Sequence, residues 1–306
     1  MPIPVLLEGR LTIPAICAPM FLISGPELVS ACCTAGMVGS FPALNARSST
    51  ELDEWLTALN LDLKKFQREF PETPCAPFAV NLILHPSNLR READLQILIQ
   101  HRVPLIITSL GNPSEVVDAT RSYGGLVFSD VIHSNHARKA IDSGADGIIV
   151  VASGAGGHAG TQSAFSLVRE VREFWDGPLV LGGSISDGTA LRAAEVLGAD
   201  LGYIGTRFIA SDESLATEAY KQMLIEATVT DIVYTAEVSG TSANFLRASL
   251  TQQNNSEAPA RPWVDAWSAG HGVALINDIV PAAILVRRLA AEYQRACQLP
   301  VSKACY

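Results

Sequence analysis

One histidine stands among four glycines in Ser153-Gly154-Ala155-Gly156-Gly157-His158-Ala159-Gly160. Imidazole is the side chain that exchanges protons near neutral pH, and glycine lets the backbone come within contact of a flat or anionic ligand. His158 is therefore the first candidate for proton transfer, with Gly156 and Gly157 as the wall beside it. A tight turn bearing a solvent-exposed histidine would carry the same letters, so the rest of the chain has to decide.

Two other stretches share this character: Leu181-Gly182-Gly183-Ser184-Ile185-Ser186-Asp187-Gly188 and Ile204-Gly205-Thr206-Arg207-Phe208. Gly183 and Gly205 carry no side chain to obstruct a phosphate. The hydroxyls of Ser184 and Thr206 can donate to one, and so can exposed backbone amides at such a turn. Two tight turns with no ligand remain the alternative for these segments taken singly.

The elements that must position these residues follow from hydrophobic periodicity. Strand candidates fall at residues 13–18, 37–40, 78–82, 105–108, 126–129, 147–151, 179–182 and 201–204, bounded by Gly, Pro or polar turn residues. Helices are expected between them: from Pro26 to 35, 49 to about 59, 89–100, 114–122, 134–142, 163–174, and one capped by Asp187 and ending near 197. Alternating strand–helix units force parallel pairing, and eight of them close a (β/α)8 TIM barrel. An open doubly wound sheet is the runner-up and usually needs fewer strands.

After the eighth strand the alternation stops. A helix is predicted over 215–228, mixed structure over 229–254, an exposed loop at Thr251-Gln252-Gln253-Asn254-Asn255-Ser256-Glu257-Ala258-Pro259, and a returning helix over 279–294. The expected organisation is a barrel of residues 1–211 plus 273–306, with a smaller, mostly helical insertion at 212–272. An excursion there lies at the C-terminal face of the strands, where it can act as a lid.

Composition narrows the function classes. The chain has 306 residues, 48% of them hydrophobic, with 22 basic against 31 acidic residues and a net charge of −9. That suffices for a large core, and without a basic run it argues against a nucleic-acid or anionic-membrane partner. Cys17, Cys32, Cys33, Cys75, Cys297 and Cys305 lack paired spacing, which fits a reducing cytosol better than a zinc site or disulfide framework. Neither a secretion signal nor a membrane-spanning apolar run is visible. A cytoplasmic protein is expected, and a homo-oligomer is compatible with the sequence.

In a barrel the ligand groups come from the C-terminal ends of the strands, and the loops after strands seven and eight build a phosphate site. The ligand's other end then lies over the mouth, near Ala18-Pro19-Met20, Asn81 and Gly156-Gly157-His158. An apolar Met against a ring face, an amide for the ring edge and a glycine wall suit a planar heterocycle, a description that flavin mononucleotide (FMN) fits.

The chain resembles the nitronate monooxygenase family, formerly 2-nitropropane dioxygenases: FMN-dependent barrels related to flavin enoyl-ACP reductases and some NADH:quinone reductases. The resemblance is carried by Ala18-Pro19-Met20, Phe78-Ala79-Val80-Asn81-Leu82, Ala155-Gly156-Gly157-His158-Ala159-Gly160, Gly183-Ser184-Ile185-Ser186-Asp187-Gly188, Gly205-Thr206-Arg207-Phe208 and Trp267-Ser268-Ala269-Gly270. It implies that the segment around Met20 lines the flavin, Asn81 bonds its edge, and Gly183, Ser184, Gly205 and Thr206 cradle the phosphate. His158 takes the place of the family's catalytic histidine. Ser184 stands where many relatives have a second glycine. Relatives often carry Gln or Asp at the position of Val151 and Lys at that of Asp130, two positions that can touch the ring or its ribityl chain. Losing a cation there weakens stabilisation of a reduced, anionic flavin, and an ionised carboxylate opposes it.

The implied reaction is oxidation of an alkyl nitronate by dioxygen to a carbonyl compound and nitrite, without a metal. His158 orients the nitro group or abstracts the α-proton of a neutral nitroalkane. Three other readings stand beside it. One is an NAD(P)H-dependent flavin reductase acting on a quinone or enoyl thioester. The others are a flavin-free barrel working on a phosphorylated metabolite and a non-catalytic binding protein. Of the other histidines, His85 and His133 lie near strand ends, His136 is assigned to a helix surface, and His271 has a turn role or a substrate contact. Asp53 is expected on a solvated helix face.

Overall fold

Runs rich in Val, Ile, Leu and Ala have no polar face to offer solvent, so they pair into a sheet buried on both sides. The computed structural model describes residues 3–253, 261 and 263–299. Its strands are β1 (Ala15–Cys17), β2 (Gly39–Pro42), β3 (Phe78–Ile83), β4 (Leu105–Ser109), β5 (Leu126–Val131), β6 (Gly147–Val151), the two-residue β7 (Gly157–His158), β8 (Leu179–Gly182) and β9 (Leu201–Ile204). All but β7 form one parallel, eight-stranded sheet in the order β1-β9-β8-β6-β5-β4-β3-β2. A parallel bridge between Ile16 and Val38 joins its two ends. There the Cys17 amide donates to the Val38 carbonyl at 2.8 Å, and the Val38 amide to that of Ala15 at 3.3 Å. The sheet closes, and the (β/α)8 barrel expected from the sequence is the fold.

The helices are α1 (Pro26–Thr34), α2 (Ser49–Glu69), α3 (Arg91–Gln100), α4 (Ser114–Arg121), α5 (Ser134–Asp142), α6 (Ala164–Arg172) and α7 (Gly188–Leu197). Their starts follow local chemistry: Pro26 opens α1, Ser48 accepts from the Glu51 amide to cap α2, and Asp187 accepts from that of Ala190 to cap α7, each removing an unpaired donor or placing a residue without one. α2 runs well past the expected end near residue 59 because buried Leu52, Leu56, Leu59 and Leu63 keep a helical stripe. Truncating one of these leucines costs about 2–5 kcal/mol.

Side chains alternate across the strands. Ile16, Val38, Ala79, Leu105, Ile107, Phe128, Ile149, Val180 and Leu201 fill the barrel interior as one cluster, while two larger clusters lie between strands and helices. The Arg172–Asp200 pair at 2.6 Å is nearly enclosed. Asp200 also accepts from the Leu179 amide, and Arg172 donates to the carbonyls of Trp175, Gly177 and Gly198. A buried pair satisfied in this way holds its geometry, although it adds little net stability.

Beyond β9 come the short α8 (Thr206–Ile209), α9 (Glu218–Glu226), strands β10 (Ile232–Thr235) and β11 (Ala243–Leu246), and α10 (Arg247–Gln253). The two strands escape sequence detection because each is four residues long and β10 is largely half-exposed. They form an antiparallel sheet with β7, in the order β10-β11-β7. The chain returns beside the barrel where Val280 bridges Ser211, and α11 (Ala282–Cys297) packs as the last outer helix. This helix starts three residues later than its hydrophobic pattern suggests because Pro281 serves as its N-cap, proline being confined to the helix entrance. Of the expected loop at 251–259, the first three residues end α10 and the others lie outside the described residues. Cys17, Cys32, Cys33 and Cys75 are buried free thiols and Cys297 is an exposed one; Cys305 lies outside the described residues. Among the described residues no helix is long and apolar enough to cross a membrane.

Candidate active site at the barrel mouth

The mouth has a floor set by strand alternation. Two residues beyond Ala79, Ile107, Phe128, Ile149 and Leu201 of the interior cluster come Asn81, Ser109, Asp130, Val151 and Tyr203, on the same inward face and nearer the C-terminal ends. Asn81 donates through Nδ2 to Ser109 Oγ at 2.7 Å and to the Ile107 carbonyl at 3.1 Å. Ser109 Oγ in turn donates to Asp130 Oδ2 at 2.5 Å. Burial pushes the Asp130 carboxyl up to about 6 against the opposing Ser109 hydrogen bond. Burial, helped by the nearby Asp130 charge, pushes the Tyr203 phenol well up.

Four segments meet on one side of the mouth. The Gly270 amide donates to Thr206 Oγ1 at 2.9 Å, and the His271 amide to the Gly154 carbonyl at 2.9 Å. They approach so closely that a Cβ on Gly156 would stand 3.0 Å from the Gly270 nitrogen and 3.2 Å from Thr206 Oγ1. A Cβ on Gly154 would meet Ser184 Oγ at 2.5 Å and His271 Nδ1 at 2.9 Å. Gly183 takes φ +127° and Ser184 φ +57°, which turns the backbone after β8 inward. Among the described residues, the amides of Ser184 and Gly205, both outside the strand ladders, have no partner. Unpaired amides at a turn, two hydroxyls and space opened by missing side chains make a cradle that fits a phosphate.

Met20 lies at the edge of this cradle, its Sδ 3.7 Å and the Ala18 Cβ 3.6 Å from where a Gly205 side chain would begin. Pro19, between them, is likewise half-buried. Asn45 pins this loop, donating to the carbonyls of Met20 and Ser24 and accepting from the Leu22 amide.

His158 sits in β7, paired with Ala243 of β11. Its ring meets Trp263 edge to face at 5.0 Å between centroids, and Trp263 leans on Phe245 at 5.1 Å. The residue is exposed, which limits how far its titration can move, but neighbouring protein atoms still lower its pKa from 6.5. Asn244, buried, donates to the Ala155 carbonyl at 2.7 Å, and Tyr234 to that of Ala159 at 3.1 Å. The loop from Ser153 to Gly160 is thus held by the barrel on one side and by the insertion on the other. Beside it opens a cavity of about 440 Å³ lined by Ile132, His133, Ala159, Thr161, Gln162 and Tyr234.

Sequence reasoning nominated the cradle residues, Met20, Asn81, Asp130, Val151 and His158, and missed Ser109, Asn45, Asn244 and Trp263. Nothing in their local sequence distinguishes them; each acts across a long stretch of chain. His133 caps α5 and lies in the cavity wall, its ring tilted against that of His136 at 3.6 Å between centroids, whereas His85, among the described residues, bonds its neighbour Ser87. Asp53 lies on a solvated face of α2, as expected, its side chain 46% exposed, and there it pairs with His101 at 2.6 Å.

A barrel with a phosphate-type cradle and a histidine-bearing strand at its mouth defines a ligand-processing (β/α)8 enzyme. Residues 6–284 match the nitronate monooxygenase family. The chain belongs to this family of flavin-dependent oxidoreductases. It is 26% identical over 272 residues to a nitronate monooxygenase of Paraburkholderia phytofirmans, covering 78% of this chain and 74% of the relative. It is 28% identical over 237 residues to (3aS,4S,5R,7aS)-5-hydroxy-7a-methyl-1-oxo-octahydro-1H-indene-4-carboxyl-CoA dehydrogenase of Rhodococcus jostii, a match covering 78% of this chain and 63% of that enzyme's length. Among solved structures, FabK of Thermotoga maritima matches with TM-score 0.80 at 25% identity over 96% of each chain. Nitroalkane oxidase of Streptomyces ansochromogenes matches with TM-score 0.79 at 26% identity over 94% of this chain and 97% of that one.

Proposed function

We propose that this chain binds FMN and oxidises alkyl nitronates with dioxygen to a carbonyl compound and nitrite. The observation that supports this most directly is the family match over residues 6–284, joined to a cradle into which a phosphate fits. Gly183, Ser184, Gly205 and Thr206 would hold the phosphate. Ala18, Pro19, Met20, Gly156 and Gly157 would line the ring, with Asn81, Asp130 and Val151 beneath it. The flavin, when bound, supplies the electron transfer.

The protein's own part is positioning and proton handling. A lowered pKa leaves His158 largely neutral near pH 7, so it can accept the α-proton of a neutral nitroalkane. Against a nitronate, already an anion, its N–H orients a nitro oxygen. Trp263 holds the ring at its edge and keeps part of it from water. The described part of the insertion would act as a lid, with β11 paired to β7 and so joined to His158.

A second reading, supported by the 28% identity to a carboxyl-CoA dehydrogenase and by the roughly 440 Å³ cavity lined by Ala159, Gly160, Thr161 and Tyr234, is an NAD(P)H-linked flavin enzyme acting on an acyl thioester. The two are separated by recording the visible spectrum of the purified protein, then adding a nitronate or NADH without oxygen. Bleaching of the flavin bands by the nitronate, with nitrite released on admitting air, is the expected result. Bleaching by NADH alone favours the thioester enzyme, and a colourless protein that cannot be loaded with FMN overturns both.

A further inference from the structure

The floor of the mouth carries a carboxyl that, among the described residues, no cation pairs with. Asp130 lies two residues beyond Phe128 on the inward face of β5, one layer above the packed interior. The side chains that share this layer are Asn81 from β3, Ser109 from β4, Val151 from β6 and Tyr203 from β9. Of these only Tyr203 can titrate, and none is basic. No ion pair reaches Asp130 among the described residues.

The hydrogen bonds around it have a fixed direction. Asn81 Nδ2 can only donate, so the Ser109 oxygen accepts from it at 2.7 Å, and the one hydroxyl proton of Ser109 points to Asp130 Oδ2 at 2.5 Å. That single donor favours the ionised carboxylate. Oδ1 has no partner among the described residues, yet it is not among the buried polar atoms left unpaired. It therefore keeps access to the mouth, where the half-buried residue opens. A proton can reach this oxygen without unfolding anything.

We infer that Asp130 is a proton-holding residue of the flavin site: it takes one proton from solvent onto Oδ1 when two electrons arrive above it, and returns that proton when they leave. The inference rests on the FMN reading given above. The balance is two electrons and one proton to the ring, plus one proton to the carboxylate, whatever reductant delivers the electrons; reoxidation reverses both transfers. The physical cause is like-charge repulsion. A reduced, negatively charged ring held at the mouth would disfavour ionisation of a carboxyl in its floor, and burial has already pushed the group up to about 6, so a small further rise carries it past neutral pH. A mobile proton thereby stands in for a fixed cation.

The test is the midpoint potential of the FMN-loaded protein, followed spectroscopically from pH 5.5 to 8.5 with a chemical reductant. Two protons per electron pair, rather than one, make the potential fall twice as steeply with pH as in Asp130→Asn over the window from about pH 6 to the raised pKa of the carboxyl in the reduced protein. The single slope resumes above that window, and Asp130→Asn should show the single slope throughout. Ser109→Ala removes the donor that favours the ionised form, so its break moves to higher pH. A single slope in the wild-type protein overturns the inference by itself, even if Asp130→Asn fails to fold. Equal slopes in wild type and a folded, flavin-loaded Asp130→Asn overturn it as well. A protein that never acquires flavin absorption sinks the FMN reading first and this inference with it, which distinguishes the two failures.

Discussion

Trp263 meets His158 edge to face, with ring centroids 5.0 Å apart, and so carries the insertion directly onto the candidate catalytic group. Edge-to-face pairs contribute about 0.5–1.5 kcal/mol beyond their buried area. In Trp263→Ala the imidazole loses an apolar neighbour, and because desolvation is what lowers its pKa, the value should rise toward 6.5. The acidic limb of kcat/KM for a neutral nitroalkane should then move to higher pH. Turnover at pH 7 should drop by roughly two- to tenfold, the rate equivalent of the lost contact. An unmoved acidic limb would show that Trp263 does not set the environment of His158.

His158→Asn separates chemistry from cofactor binding. The residue lies in β7, paired with β11, rather than in the cradle segments, so the variant should keep its flavin spectrum while losing about 10²–10⁴-fold in turnover of a neutral nitroalkane, the usual contribution of a general base. With a preformed nitronate, which needs no deprotonation, the loss should be smaller. Loss of bound FMN in a folded His158→Asn protein would assign the residue to binding instead.

The clasp between Thr206 and Gly270 makes a different prediction. A Cβ on Gly270 would fall 2.5 Å from the Gly154 carbonyl oxygen and 2.9 Å from the Gly156 nitrogen, both backbone atoms that cannot swing aside. Gly270→Ala should push this segment away from Thr206 and open the cradle. Overpacking of this kind costs about 1–3 kcal/mol, or roughly 5- to 150-fold in FMN affinity if the strain falls on the cradle. Titration of apoprotein with FMN measures it. Unchanged affinity would mean that the 268–272 segment does not shape the phosphate site.

Some of this was legible in the sequence because local chemistry determines it. The strands are apolar runs wherever both faces are buried, and Gly183, Gly205, Gly154 and Gly156 announce backbone that must come close to something. The floor of the mouth was half legible. Asn81, Asp130 and Val151 stood at strand ends, whereas Ser109 gained its role only from the stagger that brings β4 beside β3 and β5. Asn244 and Trp263 were hidden for a stronger reason. They act on a loop some 90 to 105 positions earlier in the chain, through a sheet whose β7 is only Gly-His and has no strand signal of its own.

Ser184 holds two opposed contributions. Its φ of +57° lies in the left-handed region, where a residue with a side chain is less stable than glycine by about 1 kcal/mol. Its hydroxyl stands in the cradle, 2.5 Å from where a Gly154 side chain would begin. Ser184→Gly should therefore leave the apoprotein equally stable or up to about 1 kcal/mol more stable, glycine's greater unfolded freedom offsetting part of the gain. FMN should bind roughly two- to tenfold more weakly for want of one hydrogen bond. Thermal unfolding of apoprotein and FMN titration read the two effects separately, and tighter binding in Ser184→Gly would remove the hydroxyl from the phosphate site.

Asp130 also makes the apoprotein's stability depend on pH in a direction opposite to that of most carboxylates. Its folded pKa of about 6 stands above the ordinary 3.8, so the folded state binds the proton more tightly than the unfolded chain does. The contribution is fully present below pH 3.8, is lost as pH rises from there to about 6, and stays lost above. Two units correspond to about 3 kcal/mol; contact with the solvated mouth reduces this to roughly 2 kcal/mol. Asp130→Asn keeps the shape and the Ser109 hydrogen bond while abolishing the charge. It should match wild-type apoprotein near pH 4 and exceed it at pH 7.5 by that amount, a rise in Tm of roughly 4 °C for a chain of this size. Thermal unfolding of both proteins across this range checks the sign, and a difference that does not change with pH would mean that the carboxyl is not the group that titrates.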